Sequence, residues 1–152
     1  MRSLRIKDGD ISLGPGRRAE FVDGRDKLIQ DLKLWLMEPF GRGFLTPNFG
    51  SVLYEEIGAG GAESRLLEIE EEIRRVLELY QAWQVERLRS AKQNGLLQNF
   101  SKSEVLNVIE SIEARADGTT VFVDIRVSTL GDAGAIVSIP VAIGMTGIEV
   151  GV

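Results

Sequence analysis

Carboxylates are the most abundant side chains in this sequence that could carry out acid or base chemistry. The chain has 23 Asp and Glu against 18 Lys and Arg, with no His and no Cys. Thiolate nucleophiles, imidazole bases and the usual zinc ligands are therefore excluded. Paired carboxylates remain, and glycoside hydrolysis needs two of them about 5 to 9.5 Å apart. Glu38, directly before Pro39, is the best candidate acid, but no motif indicates a second carboxylate.

Two other motifs resemble binding sites only in part. The glycine-rich stretch 58–63 precedes a helical pattern but lacks the Lys-Ser/Thr pair of a P-loop. The acidic run Glu70-Glu71-Glu72 lacks the spacing of a calcium loop and is typical of a solvated helix face. We therefore expect no cofactor and no metal ion. The formal charge of −5 without a basic block argues against direct binding of nucleic acid, and no apolar segment predicts a membrane span.

The elements that would position these groups are helices first and strands last. From Asp23 to Pro39 apolar residues recur at helical spacing, which predicts an amphipathic first helix. A long second helix is expected from residue 66 to about residue 92, with Asn94-Gly95 as its end. Its predicted apolar seam consists of Leu66, Ile69, Ile73, Val76, Tyr80 and Trp83.

The long helix also carries charges that are spaced for ion pairs. Glu70 with Arg74 and Glu71 with Arg75 stand in the favourable i,i+4 order, each pair worth a few tenths of a kcal/mol. Its seam fits packing on the chain's own sheet, or contact with a partner helix through Trp83. A generic helical adaptor is therefore one alternative function.

Between the helices, residues 37–58 form a stretch rich in proline, glycine and phenylalanine, which we call the elbow. A short helix is expected over residues 49–57, followed by the glycine run 58–61. Before the first helix, residues 4–13 predict a hairpin that turns at Asp8-Gly9.

After residue 104 the apolar period changes to two, which predicts antiparallel strands. Residues 105–113 and 120–128 are expected to be strands joined by a hairpin turn at Asp117-Gly118. Residues 135–143 predict a third strand, and Pro140 places it at an edge or at a bulge. The fold class is therefore α+β, with a small antiparallel sheet of three to four strands.

The sequence divides into an arm, one domain and a tail. Residues 1–22 form an N-terminal hairpin or arm, and residues 23–143 form a single α+β domain with a helical insertion at about 84–104. The tail, residues 144–152, can add a further edge strand because apolar residues alternate along it. We expect the protein to fold in a cytoplasm and to remain soluble.

The C-terminal strands lack the charges that usually protect a sheet edge, since residues 133–152 contain one charged residue, Glu149. Unpaired backbone groups on such an edge favour strand addition to a partner. The alternative is that the tail folds back onto its own sheet or onto the long helix. The candidate interface residues on these strands are Ile139, Val141, Ile143, Ile148, Val150 and Val152.

One long stretch, DKLIQDLKLWLMEPFGRGFLTPNFGSVLYEEI at 26–57, is similar to a known family. It resembles the first helix, turn and short helix of the small baseplate wedge proteins of contractile phage tails, the sheath initiators. This family is also called lysozyme-like and has relatives in pyocins and type VI secretion baseplates. The shared pattern is an amphipathic helix, a glycine followed by Arg42, a proline, and Phe49-Gly50 before a short apolar helix. TTVFVDIRVST at 119–129 resembles the family's central strand, so the similarity covers about residues 20–142.

The chain departs from the family after the long helix. There the family commonly has a Glu-Pro-Arg sequence that contacts neighbouring baseplate chains, whereas this chain reads YQAWQVERLRSAKQNG at 80–95. No docking arginine is therefore carried over from that motif.

The resemblance implies a structural component of a baseplate wedge, and not an enzyme. In this family six copies surround the tail axis, and the sheet pairs with extended arms of the first sheath subunits, which starts sheath polymerisation. The implied partners are the tail sheath protein and other wedge proteins, with tube or central spike proteins nearby. The implied location is the tail baseplate of a bacteriophage virion assembled in the host cytoplasm. The name lysozyme-like keeps glycoside hydrolysis open as an alternative.

The same resemblance gives the elbow a role. Its prolines and glycines are expected to fix the angle between two helices, with Phe40, Phe44 and Phe49 packing the corner, or with Phe49 in the ordinary core. Arg42 is expected to point outward to a wedge neighbour. The predicted structural residues of the elbow are Pro39, Gly41, Pro47, Phe49 and Gly50.

Overall fold

The computed structural model describes residues 1–7, 10–42, 48–56, 65–131, 136–144 and 146–150. Several predictions lie outside these residues: the Asp8-Gly9 turn, the glycine run 58–61, and the roles of Phe44, Pro47 and Val152. In the part of the chain that the structure describes, neither helix is long and apolar enough to cross a lipid bilayer.

Four very short strands make up the N-terminal arm. β1 (Ser3–Leu4) pairs with β4 (Phe21–Val22), and β2 (Ile6–Lys7) pairs with β3 (Asp10–Ile11), each in the antiparallel sense. The predicted hairpin pairing around residues 8–9 is therefore present. Gln30 ties the arm to the first helix, because its side chain accepts a 2.8 Å hydrogen bond from Ile6 N–H and donates one of 2.8 Å to the Leu4 carbonyl.

Two helices account for most of the helical structure. α1 (Gly24–Met37) begins after Asp23 and ends before Pro39, as the pattern predicts. α2 (Leu66–Gln93) ends where Gly95 takes a φ of +67°, a conformation that favours glycine. Residues 84–104, predicted to be a helical insertion, form the last turns of α2 and two 3-10 turns, Leu97–Asn99 and Lys102–Glu104.

Four strands form an antiparallel sheet in the order β5-β6-β7-β8. These are β5 (Leu106–Asp117), β6 (Thr120–Thr129), β7 (Ile136–Gly144) and β8 (Gly147–Val150). The turn between β5 and β6 contains Gly118 at φ +61°, which confirms the predicted hairpin. Together with the helices, the sheet makes the chain α+β.

One face of the sheet is covered by both helices, and the opposite face is open. The alternating residues of β6 behave as predicted, since Val121, Val123, Ile125 and Val127 are buried. Ser128 is also buried, although the alternation predicts an exposed position. The core combines this face with leucines of α1 and the seam of α2. Its helical members are Leu28, Leu32, Leu36, Ile69, Ile73, Val76, Leu77 and Tyr80.

The predicted position of the strand that contains Pro140, at an edge of the sheet or at a bulge, is wrong. β7 lies inside the sheet between β6 and β8, and its register with β6 runs without a shift from Val121↔Ile143 to Ser128↔Ile136. Proline is tolerated opposite Asp124 because every second residue of an antiparallel strand lies at a non-hydrogen-bonded position, where it directs no N–H to that partner.

The short helix expected in the second half of the elbow is also smaller than predicted. The structure has a 3-10 turn, Leu53–Glu56, and not a helix over residues 49–57. Gly50 has a φ of +100°, which is not helical, and Ser51 N–H donates to the Glu38 carbonyl at 2.8 Å. These backbone contacts hold the chain extended at the point where the pattern predicts a helical start.

Candidate functional site

The free edge of β8 is the first part of the candidate site. This strand pairs with β7 through Val141↔Val150, Ala142↔Glu149, Ile143↔Ile148 and Gly144↔Gly147. The tail therefore folds back onto its own sheet, which was one of the two alternatives. Because β8 is the last strand in the sheet order, its other side has no paired strand among the described residues.

The side chains proposed for the interface lie inside the chain's own core. Five of the candidates are at most 3% exposed: Ile139, Val141, Ile143, Ile148 and Val150. These strands carry apolar side chains because the helices of the same chain pack on that face of the sheet. Along β8, Glu149 is the exposed residue, and the residues on either side of it toward the core, Ile148 and Val150, are covered.

The direction of these main-chain groups follows from Pro140. It lies opposite Asp124 of β6, and a residue without an N–H cannot exchange two hydrogen bonds with its partner. Hydrogen-bonded and non-bonded pairs alternate along an antiparallel ladder. Along β7, Ala142 and Gly144 therefore direct their N–H and C=O groups to β8.

The same alternation identifies what β8 leaves unpaired. Glu149 and Gly147 are opposite Ala142 and Gly144 and are bonded to β7, so the N–H and C=O groups of Ile148 and Val150 point to the free side. None of the hydrogen bonds in the described part of the chain joins a side chain to these groups. Ile148 and Val150 are at most 3% exposed as whole residues, and both α1 and the 3-10 turn Leu53–Glu56 contact β8. These main-chain groups are therefore covered in the folded chain, and another strand can pair with them only if this edge opens.

The opposite edge of the sheet, β5, is closed by side chains of α2. Glu70 accepts a 2.7 Å hydrogen bond from Ala114 N–H, and Gln81 donates one of 2.6 Å to the Asn107 carbonyl. The pairing of β5 with β6 also shifts register twice, between Leu106 and Val108 and between Ile109 and Ser111. Bulges, exposed charges and occupied backbone groups are the usual protection of an edge. The exposed charges along β5 are Glu110, Glu113, Arg115 and Asp117.

The elbow is the second part of the site, and it is closed by backbone bonds. Ser51 N–H donates to the Glu38 carbonyl, Phe40 N–H donates to the Ser51 carbonyl at 2.9 Å, and the Ser51 hydroxyl donates to the Leu36 carbonyl at 2.6 Å. Pro39 and Ser51 thereby form an isolated parallel bridge. The chain leaving α1 and the chain returning past Gly50 are held side by side.

Two residues of α2 clamp the elbow from outside. Glu72 accepts hydrogen bonds from Val52 N–H at 2.8 Å and from Arg75 at 2.7 Å. Arg75 also donates to the Gly50 carbonyl at 3.3 Å, and its guanidinium lies 5.1 Å from the centre of the Phe40 ring. The bond to Glu72 raises the pKa of Arg75, which therefore stays charged.

This clamp corrects the predicted ion pairs. Arg75 pairs with Glu72 and not with Glu71, because Glu72 is also turned towards Val52. Glu70, predicted to pair with Arg74, instead binds the backbone of β5. The acids that the structure brings to the elbow and to the sheet edge are thus committed to main-chain donors.

An aromatic cluster fills the corner behind the elbow. Phe49 is half-buried and lies edge-on to Trp35, with ring centres 4.6 Å apart, and Trp35 also contacts Tyr80 and Trp83. Phe40 lies on the surface. Phe49 therefore packs the corner as predicted, whereas Phe40 does not.

A buried polar network connects this cluster to both helices. The Tyr80 hydroxyl donates to Asp31 at 3.1 Å and accepts a 2.9 Å hydrogen bond from Gln84, while Asp31 is paired with the buried Lys27. Burial, and then the charge of Asp31, raise the pKa of the Tyr80 hydroxyl far above its usual range. Gln84 also binds the backbone ahead of β5, through Leu106 N–H at 2.9 Å. The network is a structural link and leaves no free nucleophile.

The outer surface of the elbow carries two exposed residues. Arg42 is exposed, as expected for a residue that points away from the core, and Phe40 is 44% exposed. Gly41 at φ +77° makes the turn between them. A cationic side chain and an aromatic ring thus lie together on the surface, at the bend that Glu72 and Arg75 of α2 hold in place.

Sequence reasoning missed Glu72, Arg75 and Gln84. Gln84 was detectable, because a polar residue falls on the buried side of the helix four residues after Tyr80. No sequence pattern indicates the roles of Glu72 and Arg75, since the backbone groups that they bind, Val52 N–H and the Gly50 carbonyl, lie in the elbow. Among the described residues, no group of three or more acids could hold a metal ion.

Comparison with known proteins returned no relatives. No protein-family model, no curated protein and no solved structure matches the chain.

Proposed function

We propose that this chain is a structural component of a contractile-tail baseplate wedge, and that it starts sheath polymerisation by pairing the free edge of β8 with an extended arm of a sheath subunit. The observation that carries the proposal is the difference between the two sheet edges. β5 is closed by Glu70 and Gln81 from α2, whereas the main-chain groups of Ile148 and Val150 have no partner among the described hydrogen bonds. Both residues are at most 3% exposed, so the β8 edge must open before a strand pairs with it. An edge of this kind binds by adding a strand.

The role is one of binding and not of catalysis. Glycoside hydrolysis would need Glu38 and a second free carboxylate. Glu72, the acid of α2 that contacts the elbow, has both oxygens bound by Val52 and Arg75, and Glu55, an acid of the elbow itself, is exposed on the surface. No observation therefore favours the hydrolase. A helical adaptor is also less well supported, since the seam of α2 from Ile69 to Tyr80 is buried against the chain's own core and only its last predicted member, Trp83, is exposed, at 39%.

The elbow would serve the wedge side of the assembly. Arg42 and Phe40 are exposed on a bend that Glu72 and Arg75 hold from α2, so they form a rigid contact for a neighbouring wedge chain. Arg and aromatic residues are enriched in the centres of protein interfaces. Six copies around the tail axis of a virion follow from the family resemblance alone.

Ile148→Pro is expected to weaken capture of the cognate sheath subunit by about tenfold. The substitution removes an N–H that points to the free side, and leaves the bonds of Glu149 and Gly147 to β7 in place. Capture of purified sheath subunit by the immobilised chain measures the effect.

Ile148→Ala is the matched control for this experiment. It removes the same buried apolar side chain but keeps the N–H, so it should retain near-native capture once circular dichroism shows that both variants are folded. Equal capture by the two variants would show that main-chain pairing at β8 does not contribute to binding of the sheath subunit. If the unaltered chain captures no sheath subunit, the initiator function itself is refuted.

A further inference from the structure

The segment 84–104, predicted as a helical insertion, lines most of an open groove at the C-terminal end of α2. The groove has a volume of about 670 Å³, within the range of binding sites in proteins. It is formed by the last turns of α2, by the connection 97–102, and by the residues just before β5 and just after β6. Its apolar lining consists of Leu88, Leu97, Phe100, Val105 and Leu130.

Two large apolar side chains of this groove are open to solvent. Leu97 is 46% exposed and Leu130 is 50% exposed, and Leu96, next to Leu97 in the chain, is 48% exposed. Single exposed apolar residues are common on protein surfaces, whereas several in one concavity mark an interaction site. The groove therefore offers apolar surface that the chain's own core does not use.

Backbone bonds and a ring contact hold the lining of the groove in place. Leu130 N–H donates to the Val105 carbonyl at 3.1 Å. Phe100 N–H donates to the Leu97 carbonyl, also at 3.1 Å. The Phe100 ring is half-buried, and its centre lies 5.8 Å from the Arg87 guanidinium. The groove is thus formed in the free chain, which lowers the entropy cost of binding a partner.

Three exposed cationic side chains border the same groove: Arg89, Lys92 and Lys102. Arg89 forms an ion pair with Glu86 at 2.8 Å, and both partners are exposed, so the pair contributes little in water. The ammonium groups of Lys92 and Lys102 form no ion pair with any residue that the structure describes. In a chain with a net charge of −5, the groove is therefore a local site of positive potential.

We infer that this groove binds an amphipathic segment of a partner protein in which acidic residues lie beside the apolar side chains. The apolar side chains pack against Leu97 and Leu130, and the carboxylates face Lys92 and Lys102. A helix that lays its apolar face into a groove is a common mode of peptide recognition. A lipid surface fits less well, because membranes are entered by projecting apolar side chains, whereas these line a concave surface. The site is additional to strand pairing at β8.

Two synthetic peptides test this inference with the full chain. Both are about 14 residues long, with leucines at helical spacing, and the remaining positions are glutamate in one peptide and lysine in the other. Each is titrated into the isotope-labelled chain, and the amide NMR signals of Leu97 and Leu130 are followed. The glutamate peptide should shift these signals and bind about tenfold more tightly than the lysine peptide.

Two double variants of equal net charge locate the contact. Lys92→Glu combined with Lys102→Glu should weaken binding of the glutamate peptide by about tenfold. Arg25→Glu combined with Lys33→Glu changes exposed residues of α1 and should weaken it by less than about twofold, because salt screens distant charges. Leu97→Ser should also weaken binding, without any change in charge. All five positions are exposed, so circular dichroism should show that each variant is folded.

Three results would overturn the inference: no shift of the Leu97 and Leu130 amides by the glutamate peptide, equal affinities for the two peptides, or an equal loss in the two double variants. Vesicles of anionic lipid are the further probe. If they shift these amides and the glutamate peptide does not, the groove binds a membrane surface and not an acidic segment of a protein.

Discussion

Gly50→Ala is expected to lower the free energy of unfolding by about 3 to 5 kcal/mol. Gly50 has a φ of +100°, which strains any other residue. A Cβ at this position would press on the Glu38 carbonyl oxygen and lie 3.0 Å from the carbonyl carbons of Glu38 and Pro39. These are backbone atoms of the bridge that closes the elbow, so they cannot move aside without breaking it. Urea denaturation of the two proteins measures the difference.

Gly41→Ala is the matched control, because Gly41 lies in the same elbow at φ +77° but has no atom within 4 Å of the added Cβ. It should cost only the backbone strain, about 1 to 2 kcal/mol. A loss for Gly50→Ala no greater than that for Gly41→Ala would show that the elbow is not closed as described.

Asp31→Ala is expected to cost about 3 to 5 kcal/mol, since removing one partner of a buried ion pair leaves the other uncompensated. Lys27 is 5% exposed and loses its carboxylate. Tyr80 loses the acceptor for its hydroxyl, in the network that joins α1 to α2. Denaturant unfolding followed by tryptophan fluorescence would report the change, because Trp35 and Trp83 contact Tyr80.

Two variants make this second prediction specific. Asp26→Ala removes an exposed carboxylate of α1 that lies 3.9 Å from Arg5, so it should change stability by less than about 0.5 kcal/mol. Lys27→Met combined with Asp31→Leu removes both charges and should recover most of the loss. If Asp31→Ala were as mild as Asp26→Ala, the pair would not be buried in solution.

Much of the fold could be predicted because local patterns determine it. The seam from Ile69 to Tyr80 and the alternation from Val121 to Val127 each repeat with the period of their element, and both are buried. Asp117-Gly118 marks the hairpin because glycine tolerates the φ of +61° found there. Such signals lie within a few residues of the structure that they predict.

The site could be predicted less well, because it depends on contacts between distant segments. Glu70 and Gln81 read as solvated residues of a helix, but α2 lies along β5 and their side chains close that edge. The preference of Arg75 for Glu72 depends on Val52, twenty residues before Glu72 in the chain. The sequence indicates an apolar edge near the C-terminus, whereas the comparison of the two edges needs the folded sheet.

Amide hydrogen exchange of the chain with and without the cognate sheath subunit tests most directly whether β8 accepts a strand. The Ile148 and Val150 amides donate none of the described hydrogen bonds, so they should exchange faster than the Ala114 amide in the chain alone and become protected in the complex. The Ala114 amide of β5, bound by Glu70, should be unchanged. Protection at β5 or at the elbow without any change at Ile148 and Val150 would contradict strand pairing at this edge.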